Sequence, residues 1–544
     1  MRRKAPFAGA AVLAVVLAIL AGAPATAQQP PIIPDNSARV DELLRHGQQL
    51  ELQSRWGDAL THYEEAIRSF PGERSLQRRY DLSRLHYDLG RRYADRSFLD
   101  ALAGMSTNDA LDLYSEVLLK IQTHYVEAPN WKEVVERGTN DLEVALCEPV
   151  FVQRNLPGVD AKKLVEFRQE LRRLLGPKVI QSRTAARQTA ALAADFAQTR
   201  LGIRPVPVVL EFLCGAANTL DCYSAYLTPG QLDEVYSQIE GNFVGLGIEL
   251  KAADGALLIV RVIPRSPAEE RGVRAGDRIL AIDGKSTREL STDGAADLLQ
   301  GPAGSTVRLL LGSTGQAMRQ VDVRRRRVEV PSVDQVHLAD SEFGIGYLRL
   351  TCFQKTTSRD LDAALWELHR SGMKSLVMDL RNNPGGLLVS AVEVADKFVE
   401  RGVIVSTRGR SLQEDFTYSA HVPGTWRVPL VVLIDRDSAS AAEIFAGAIR
   451  DHRRGTIVGQ QSYGKGSVQG IFPLSLSSAG VRLTTAKFYS PSGHPFCRVG
   501  VRPDILVRQA AKPVPSGATP AGAEQEDPML SAALQAARQL IGRR

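Results

Sequence analysis

The rhythm of apolar and polar positions changes along the chain, and the changes divide it. Three basic residues, Arg2, Arg3 and Lys4, precede an apolar run from Phe7 to about Ala23 and the small-x-small triplet Ala25-Thr26-Ala27. That is the pattern of an export signal over residues 1–27, cut near Ala27–Gln28. The run approaches the ~20 apolar residues that span a bilayer, so an uncleaved membrane anchor is the alternative. Residues 28–37, QQPPIIPDNS, form a Pro-rich linker. Helical spacing follows over 38–107 and continues over 108–240, where Leu111, Leu113, Val117, Leu118, Ile121 and Tyr125 recur on one face. The stretch Asp221 to Pro229 reads as a turn into a new helix at Gln231. Over 241–313 the period shortens to that of strands: Leu257–Val262, Arg278–Ile282 closed by Asp283-Gly284, and Thr306–Leu311. Residues 330–508 alternate strands (345–350, 376–380, 430–434, 456–458) with amphipathic helices (357–371, 388–400, 440–452), which predicts a sheet with helices packed on it. A flexible Pro/Ala/Gly-rich stretch, 509–527, and a last helix, 528–544, complete the chain. The predicted fold class is multidomain α+β.

Two modules carry resemblances. The segment Trp56-Gly57-Asp58-Ala59-Leu60-Thr61-His62-Tyr63-Glu64-Glu65-Ala66-Ile67 ends at Pro71 and sets small and aromatic residues where antiparallel helices pack. It resembles a tetratricopeptide repeat, with a generic helical hairpin as the alternative. One repeat cannot bury its own face, so it packs on neighbours, and the 38–107 region is a candidate docking site for an adaptor protein. The second module begins with Phe243-Val244-Gly245-Leu246-Gly247-Ile248. It continues through Ser266-Pro267-Ala268-Glu269, the strand 278–282, a helix over 292–300 and the strand 306–311. This order resembles a PDZ domain; a small β-rich domain whose glycines only make turns is the alternative. The resemblance implies that a peptide adds as an extra strand and that its terminal carboxylate sits among N–H groups of Val244, Gly245, Leu246 and Gly247.

Composition narrows the function classes. A net charge of +6 over 544 residues, with no concentrated basic face, argues against a nucleic-acid partner. The one basic run, Arg324 to Arg327, reads as a solvated strand end or linker. The cysteines number five, and Cys214 and Cys222 are close enough in sequence to pair in an oxidising compartment, although spacing does not decide it. No CxxC or Cys/His cluster has zinc spacing, so neither a metal nor a cofactor is expected.

Three segments of the 330–508 region carry candidate chemistry. In Asp379-Leu380-Arg381-Asn382-Asn383-Pro384-Gly385-Gly386-Leu387-Leu388 a buried strand ends, Gly-Gly turns, and a helix begins. Such a turn offers N–H groups to an oxyanion. In Asp435-Arg436-Asp437-Ser438-Ala439-Ser440-Ala441-Ala442-Glu443-Ile444 a strand leads into a helix. Ser440 with Glu443 is an S-x-x-E capping box, yet a serine at a helix start is also placed for nucleophilic attack. In Gly459-Gln460-Gln461-Ser462-Tyr463-Gly464-Lys465-Gly466-Ser467-Val468-Gln469 a phosphate-binding loop is nearly spelled. It fails because Gly466 stands where a hydroxyl must bind Mg²⁺ and a strand follows in place of a helix.

Together these segments, with Ser440 and Lys465 25 residues apart, resemble the carboxyl-terminal processing proteases, the tail-specific serine peptidases, over roughly 108–508. The resemblance implies an exported, periplasmic or otherwise extracytoplasmic serine endopeptidase with a Ser–Lys pair. Ser440 is the implied nucleophile, Lys465 the general base, and Gln469 the residue that orients the lysine. The N–H groups of Ala441 and of Gly385 or Gly386 are the implied oxyanion hole. Ser438 is the rival nucleophile. Ala442 and Asp437 stand where the family often has Ser and Gly. The implied partners are protein or peptide substrates held by their C-terminal tails, with the membrane met only through an uncleaved signal. A free lysine is charged at neutral pH, so the role requires burial to lower its pKa. A His base is not expected: His452 reads as exposed and His494 as a loop residue without a partner. The competing functions are a non-catalytic scaffold with an inert core and a Ser–Lys hydrolase acting on a non-peptide acyl group.

Overall fold

A computed structural model describes residues 37–218, 220–253, 256–289, 298–299, 301–313, 317–421, 425–508 and 527–542. The signal segment, the linker before Ser37, the helix expected at 292–300 apart from Leu298 and Leu299, and the stretch 509–527 before Asp527 lie outside these residues. The chain forms two compact units, one up to Tyr87 and one from Asp88 onward, so the 38–107 region is divided between them.

The first unit holds α1 (Ser37–Leu52), α2 (Trp56–Ser69) and most of α3 (Arg74–Ala94). Small residues meet aromatic ones where the helices pack. Gly47 lies against the Tyr63 ring, and Tyr63 Oη donates to Glu51 at 2.8 Å. Trp56 stacks on His86 with ring centroids 4.0 Å apart.

The second unit opens with the last turns of α3 and with α4 (Arg96–Gly104), α5 (Thr107–His124), α6 (Trp131–Ala145), α7 (Pro149–Asn155), α8 (Ala161–Leu175), α9 (Arg183–Leu201) and α10 (Pro205–Asn218). The apolar stripe read on α5 is its buried face: Leu111, Leu113, Val117, Leu118 and Ile121 all lie in one core. That core is crossed by a buried polar cluster. The Arg92 guanidinium donates to Glu211 at 2.5 Å and lies 3.5 Å from Asp141, while Tyr93 Oη donates to Glu211 at 2.8 Å. Burial pushes the Asp141 pKa well above the carboxylate range. A strand, β1 (Ala225–Leu227), then precedes α11 (Pro229–Glu240), where the sequence pattern suggested only a turn.

The β-rich module comprises β2 (Asn242–Gly245), β3 (Ile248–Ala253), β4 (Ala256–Val262), α12 (Pro267–Glu270), β5 (Arg278–Ile282), β6 (Lys285–Ser286), β7 (Thr306–Gly312), β8 (Arg319–Arg324) and β9 (Arg326–Glu329). Its sheet runs β3-β4-β5-β7-β8, with β6 beside β5 and β3 at an edge. Ile259, Ile279, Val307, Leu309 and Val323 fill its core. The basic run is not simply solvated: Arg325 is buried, and its guanidinium donates to the carbonyls of Leu298 and Leu299, each at 2.8 Å. A guanidinium can close a core edge in this way because its donors form a planar fork.

The core contains β10 (Val333–Asp340), β11 (Ile345–Leu350), α13 (Thr357–Arg370), β12 (Ser375–Asp379), α14 (Leu388–Asp396), β13 (Gly402–Gly409), β14 (Phe416–Ala420), β15 (Leu430–Ile434), α15 (Ala441–Asp451), β16 (Thr456–Gly459), β17 (Ser467–Pro473), β18 (Gly480–Tyr489), β19 (Ile505–Leu506) and α16 (Pro528–Gly542). The main sheet runs β10-β11-β12-β15-β16-β19, parallel except for the β10–β11 pair. Fully buried strands such as LVVLI (β15) show the continuous apolar run of a sheet covered on both faces. Helices α13, α14 and α15 cover one face and α16 the other. A second sheet, β1-β18-β13-β14 with β17 on β18, joins the helical part to the core. Its strands β13, β14 and β18 carry no signal that the sequence pattern isolated.

The pairing of Cys214 with Cys222, which spacing left open, is not formed: no disulfide joins any of the five cysteines, Cys214 being buried and Cys222 exposed. Two expectations change. His452 is half-buried, with Nε2 2.7 Å from the Val403 carbonyl, because it closes α15 against β13. His494 has a partner, Ser492 Oγ at 2.8 Å.

Removing Arg92 strands two buried carboxyl groups. Arg92→Ala is expected to lower stability by about 3–5 kcal/mol, read from denaturant unfolding. An effect below about 1 kcal/mol would mean that the cluster is hydrated.

Candidate active site

The three segments singled out in the sequence all leave the carboxyl ends of neighbouring parallel strands: β12, β15 and β16. In open α/β sheets this is the edge where ligands bind.

The strand β15 runs into Asp435, a tight turn, and Ser440 at the start of α15. Ser440 has φ 56° and ψ −115°, a conformation that costs a non-glycine residue ~1–3 kcal/mol. A strained serine between strand and helix is the elbow geometry that lifts a hydroxyl out of the backbone's shelter. Ser438 is different. It is fully buried, its Oγ donates to the Leu380 carbonyl at 2.8 Å, and the Asp435 N–H donates to it at 2.9 Å. That hydroxyl fastens the turn to the end of β12 and is not presented to a substrate.

Glu443 does more than close a helix start. Its carboxylate, in a side chain that is almost wholly buried, accepts four hydrogen bonds. Oε2 takes the N–H of Ser440 at 2.8 Å and the N–H of Lys465 at 2.9 Å. Oε1 takes the N–H of Gly464 at 2.7 Å and the hydroxyl of Ser462 at 2.6 Å. One oxygen atom therefore sits between the main chains of Ser440 and Lys465. Burial raises the Glu443 pKa above its ordinary value, although all four bonds favour the ionised form. The Tyr463 N–H adds a direct link to the Ser438 carbonyl at 3.0 Å.

Lys465 is half-buried, and its Nζ lies 4.9 Å from the centroid of the Tyr223 ring. Among the described residues it forms no ion pair. Burial holds its pKa below the ordinary lysine value, helped by the nearby positive charge of Arg482 and opposed by Cys222, Glu443 and Asp221. Tyr223 is a site residue that sequence reasoning missed. It is delivered by the turn before β1, where Asp221 Oδ1 accepts the N–H groups of Tyr223 and Ser224 at 2.7 and 2.6 Å. Arg482 Nε then donates to the Tyr223 carbonyl at 2.8 Å.

Gln469 is on β17, beside the register shift between Val468 and Gln469. Its amide donates to Ser467, at 2.9 Å to Oγ and 3.1 Å to the carbonyl, so in this structure it does not reach Lys465.

The glycine turn lies directly against Ser440. A Cβ on Gly385 would lie 2.6 Å from Ser440 Cβ and 2.9 Å from the Ala441 nitrogen. A Cβ on Gly386 would fall 2.0 Å from the Phe353 carbonyl oxygen. Only residues without side chains allow this approach, and both glycines have positive φ, 100° and 138°. Asn383 pins the turn: Nδ2 donates to the Leu350 carbonyl at 2.7 Å, and its own carbonyl accepts the Ala439 N–H at 2.9 Å. Its Oδ1 accepts the Gly385 N–H at 2.9 Å, which occupies one of the expected donors. Among the described residues the N–H groups of Gly386 and Ala441 have no protein acceptor.

The residues expected to hold a peptide terminus are split. Val244 and Gly245 pair with Arg327 and Arg326 in the β2–β9 ribbon, so they form strand and not loop. Leu246 and Gly247 connect to β3, and their carbonyls accept the N–H groups of Ala268 and Ile263 at 2.9 and 2.8 Å. The free edge of β3 begins at Ile248.

Family models and known relatives match this sequence. The family model for peptidase family S41 matches residues 344–507, and that for the PDZ domain matches residues 258–311. The carboxy-terminal-processing protease of Bartonella bacilliformis is 39% identical over 334 residues, covering 59% of this chain and 76% of that protein. The carboxyl-terminal-processing protease of Synechocystis sp. is 37% identical over 292 residues, covering 53% and 68%. Among solved structures, the photosystem II D1 C-terminal processing protease aligns over 80% of this chain and 98% of its own, at 25% identity and a TM-score of 0.39. The family match and these relatives define a serine-type peptidase that carries a PDZ domain. The chain belongs to peptidase family S41, with the carboxyl-terminal-processing proteases.

Two outcomes follow from the geometry. Glu443→Gln sets an amide donor against two of the four donors, so stability is expected to fall by about 1–3 kcal/mol in thermal unfolding. Peptidase activity should fall by about 10²-fold, because both main chains lose their shared anchor. Lys465→Met is expected to raise stability by about 0.5–2 kcal/mol at pH 7. The sign follows from linkage. A lysine with a lowered folded pKa binds fewer protons than the unfolded chain, so its cost is full below the folded pKa and vanishes near the ordinary value, about 10.4. The gain should therefore shrink as pH rises toward that value, and a gain that is constant with pH would contradict the lowered pKa.

Proposed function

We propose that this chain is an exported endopeptidase that processes proteins near their C-termini, with Ser440 as nucleophile and Lys465 as general base. The carrying observation is the pair of main chains held on one Glu443 oxygen, with a strained serine on one side and, on the other, a half-buried lysine that forms no ion pair among the described residues. A serine hydroxyl needs a base within reach, and a lysine serves once burial has lowered its pKa.

In the first half-reaction Ser440 Oγ attacks the scissile carbonyl carbon while Lys465 Nζ takes the hydroxyl proton. The carbonyl oxygen becomes an oxyanion held by the N–H groups of Ala441 and Gly386, which have no acceptor among the described residues. Losing one such donor typically costs ~10²–10³ in kcat. Collapse breaks the C–N bond, and Lys465 passes its proton to the leaving amine. Water then attacks the acyl-enzyme with Lys465 again as base. Gln469 acts from β17 by fixing Ser467, two residues beyond the lysine.

The PDZ module supplies substrate selection. An extended C-terminal segment adds to the edge of β3, with its carboxylate at the Leu246–Gly247 connection. The hairpins of the first unit read as a tetratricopeptide-like docking surface for an adaptor protein. Residues 1–27, read as an export signal, support a location outside the cytoplasm; among the described residues no helix is long and apolar enough to cross a membrane.

The test is proteolysis of unfolded or C-terminally tagged polypeptides by the exported protein, whose N-terminus should be Gln28. Ser440→Ala and Lys465→Ala should each lose roughly 10³-fold or more. For the wild type, kcat/KM should rise with pH through a single group whose pKa lies below that of ordinary lysine. Cleavage by either variant at the wild-type rate, or a midpoint near ~6.5 that marks histidine, would sink the proposal.

A further inference from the structure

The C-terminal helix α16 is separated from the rest of the core by the stretch 509–526, yet it returns to the sheet that builds the site. Its apolar face, Met529, Ala533, Ala536 and Ala537, packs on Tyr347, Val377, Val431, Leu433 and Val458. Val377 is on β12, Val431 and Leu433 on β15, and Val458 on β16. These are the three strands that end in the glycine turn, the Ser440 elbow and the Lys465 loop. The small side chains of α16 let it lie close beneath all of them.

The start of α16 is tied to the glycine turn by charge. Asp527 caps the helix: Oδ1 accepts the N–H groups of Met529 and Leu530, both at 3.1 Å. Its other oxygen, Oδ2, accepts from Arg381 Nη1 at 2.6 Å. Arg381 also holds Asp379, through Nη2 at 2.6 Å and Nε at 2.9 Å to Oδ2. Asp379 in turn accepts the Tyr347 hydroxyl at 2.8 Å. Arg381 is thus gripped on one side by the end of β12 and on the other by α16. The next residues are Asn382, whose N–H donates to the Asp435 carboxylate at 3.0 Å, then Asn383, Gly385 and Gly386. Asp379 and Asp527 both keep the guanidinium charged. A planar fork held by two carboxylates has little freedom to rotate, and the backbone that follows inherits that restraint.

We infer that Asp527 is a positioning residue for catalysis: acting through Arg381, the C-terminal helix sets the direction of the Gly386 N–H in the oxyanion hole. The inference rests on the assignment of that turn to the oxyanion hole. A positioning residue of this kind touches neither substrate nor nucleophile. Its loss should spare ground-state peptide binding and weaken the transition state alone.

Steady-state kinetics of the full-length enzyme on a peptide substrate test this, together with the affinity of a peptide boronic acid, which forms a tetrahedral anion on the active serine. Asp527→Asn is expected to lower kcat by about 10-fold with KM changed less than about twofold, and to weaken the boronate by a similar factor. Asp527→Glu should restore most of the loss. Arg538→Ala is the control. It removes the ion pair of α16 with Asp340, 2.7 Å at the other end of the helix, and should leave kcat unchanged. The inference is overturned if Asp527→Asn leaves kcat and boronate affinity within twofold of wild type. An equal loss in Arg538→Ala overturns it as well, because the effect is then general loosening of the helix. Activity that survives in Ser440→Ala overturns the catalytic assignment beneath it and is read independently of Asp527.

Discussion

The site depends on a buried carboxylate with more donors around it than one segment could supply. Glu443 takes hydrogen bonds from Ser440, Ser462, Gly464 and Lys465, so both of its oxygens are fully engaged. Three main-chain N–H groups in a low-dielectric interior are costly unless each finds an acceptor. The carboxylate satisfies them together. The same bonds oppose the backbone strain at Ser440, because the N–H of the strained residue is itself one of the four donors. Strain of ~1–3 kcal/mol persists only where the surroundings over-determine it, and here they do.

The sheet explains why the three segments meet at all. Parallel strands β12, β15 and β16 are adjacent, so their carboxyl ends emerge side by side. Each end then turns in a way that its own residues dictate. Gly385 and Gly386 turn where a side chain would strike Ser440 or Phe353. Ser438 binds back to Leu380 and fixes the distance between the first two ends. Tyr463 binds Ser438 and fixes the third. These are short, buried and mutually dependent contacts, which makes the site a property of the sheet edge and not of any one loop.

Much of this was legible in the chain. The strands at 345–350 and 430–434 coincide with β11 and β15, because continuous apolar runs between turn residues admit little else. The three chemical segments were legible because glycine and small residues cluster there against the surrounding periodicity. What was not legible depends on distant partners. Glu443 reads locally as half of a capping box; its other three donors come from residues about 20 positions away. Tyr223 reads as part of a turn, and only the pairing of β1 with β18 brings it over Lys465. Arg325 sits in a run of four arginines, and nothing in the run marks the one that is buried. The strands of the second sheet mix polar and apolar residues, and β18 buries polar Thr484 and Thr485 beside Leu483 and Ala486, so no simple alternation marks them.

The engagement of Glu443 also bears on the lysine. A carboxylate next to an ammonium ordinarily forms an ion pair and raises the lysine pKa, which would work against the proposed role of Lys465. Here the carboxylate meets Lys465 at its main-chain N–H, while the side chain leads away to the Tyr223 ring. A cation over an aromatic face gains only ~0.5–1 kcal/mol at exposed sites and somewhat more when desolvated, a far weaker hold than a buried ion pair. Burial and the Arg482 charge then prevail, and the pKa falls. The Glu443 charge opposes that fall, yet it holds Lys465 only through the main chain and forms no ion pair with the side chain. The distinction lies in which atoms of Lys465 it touches.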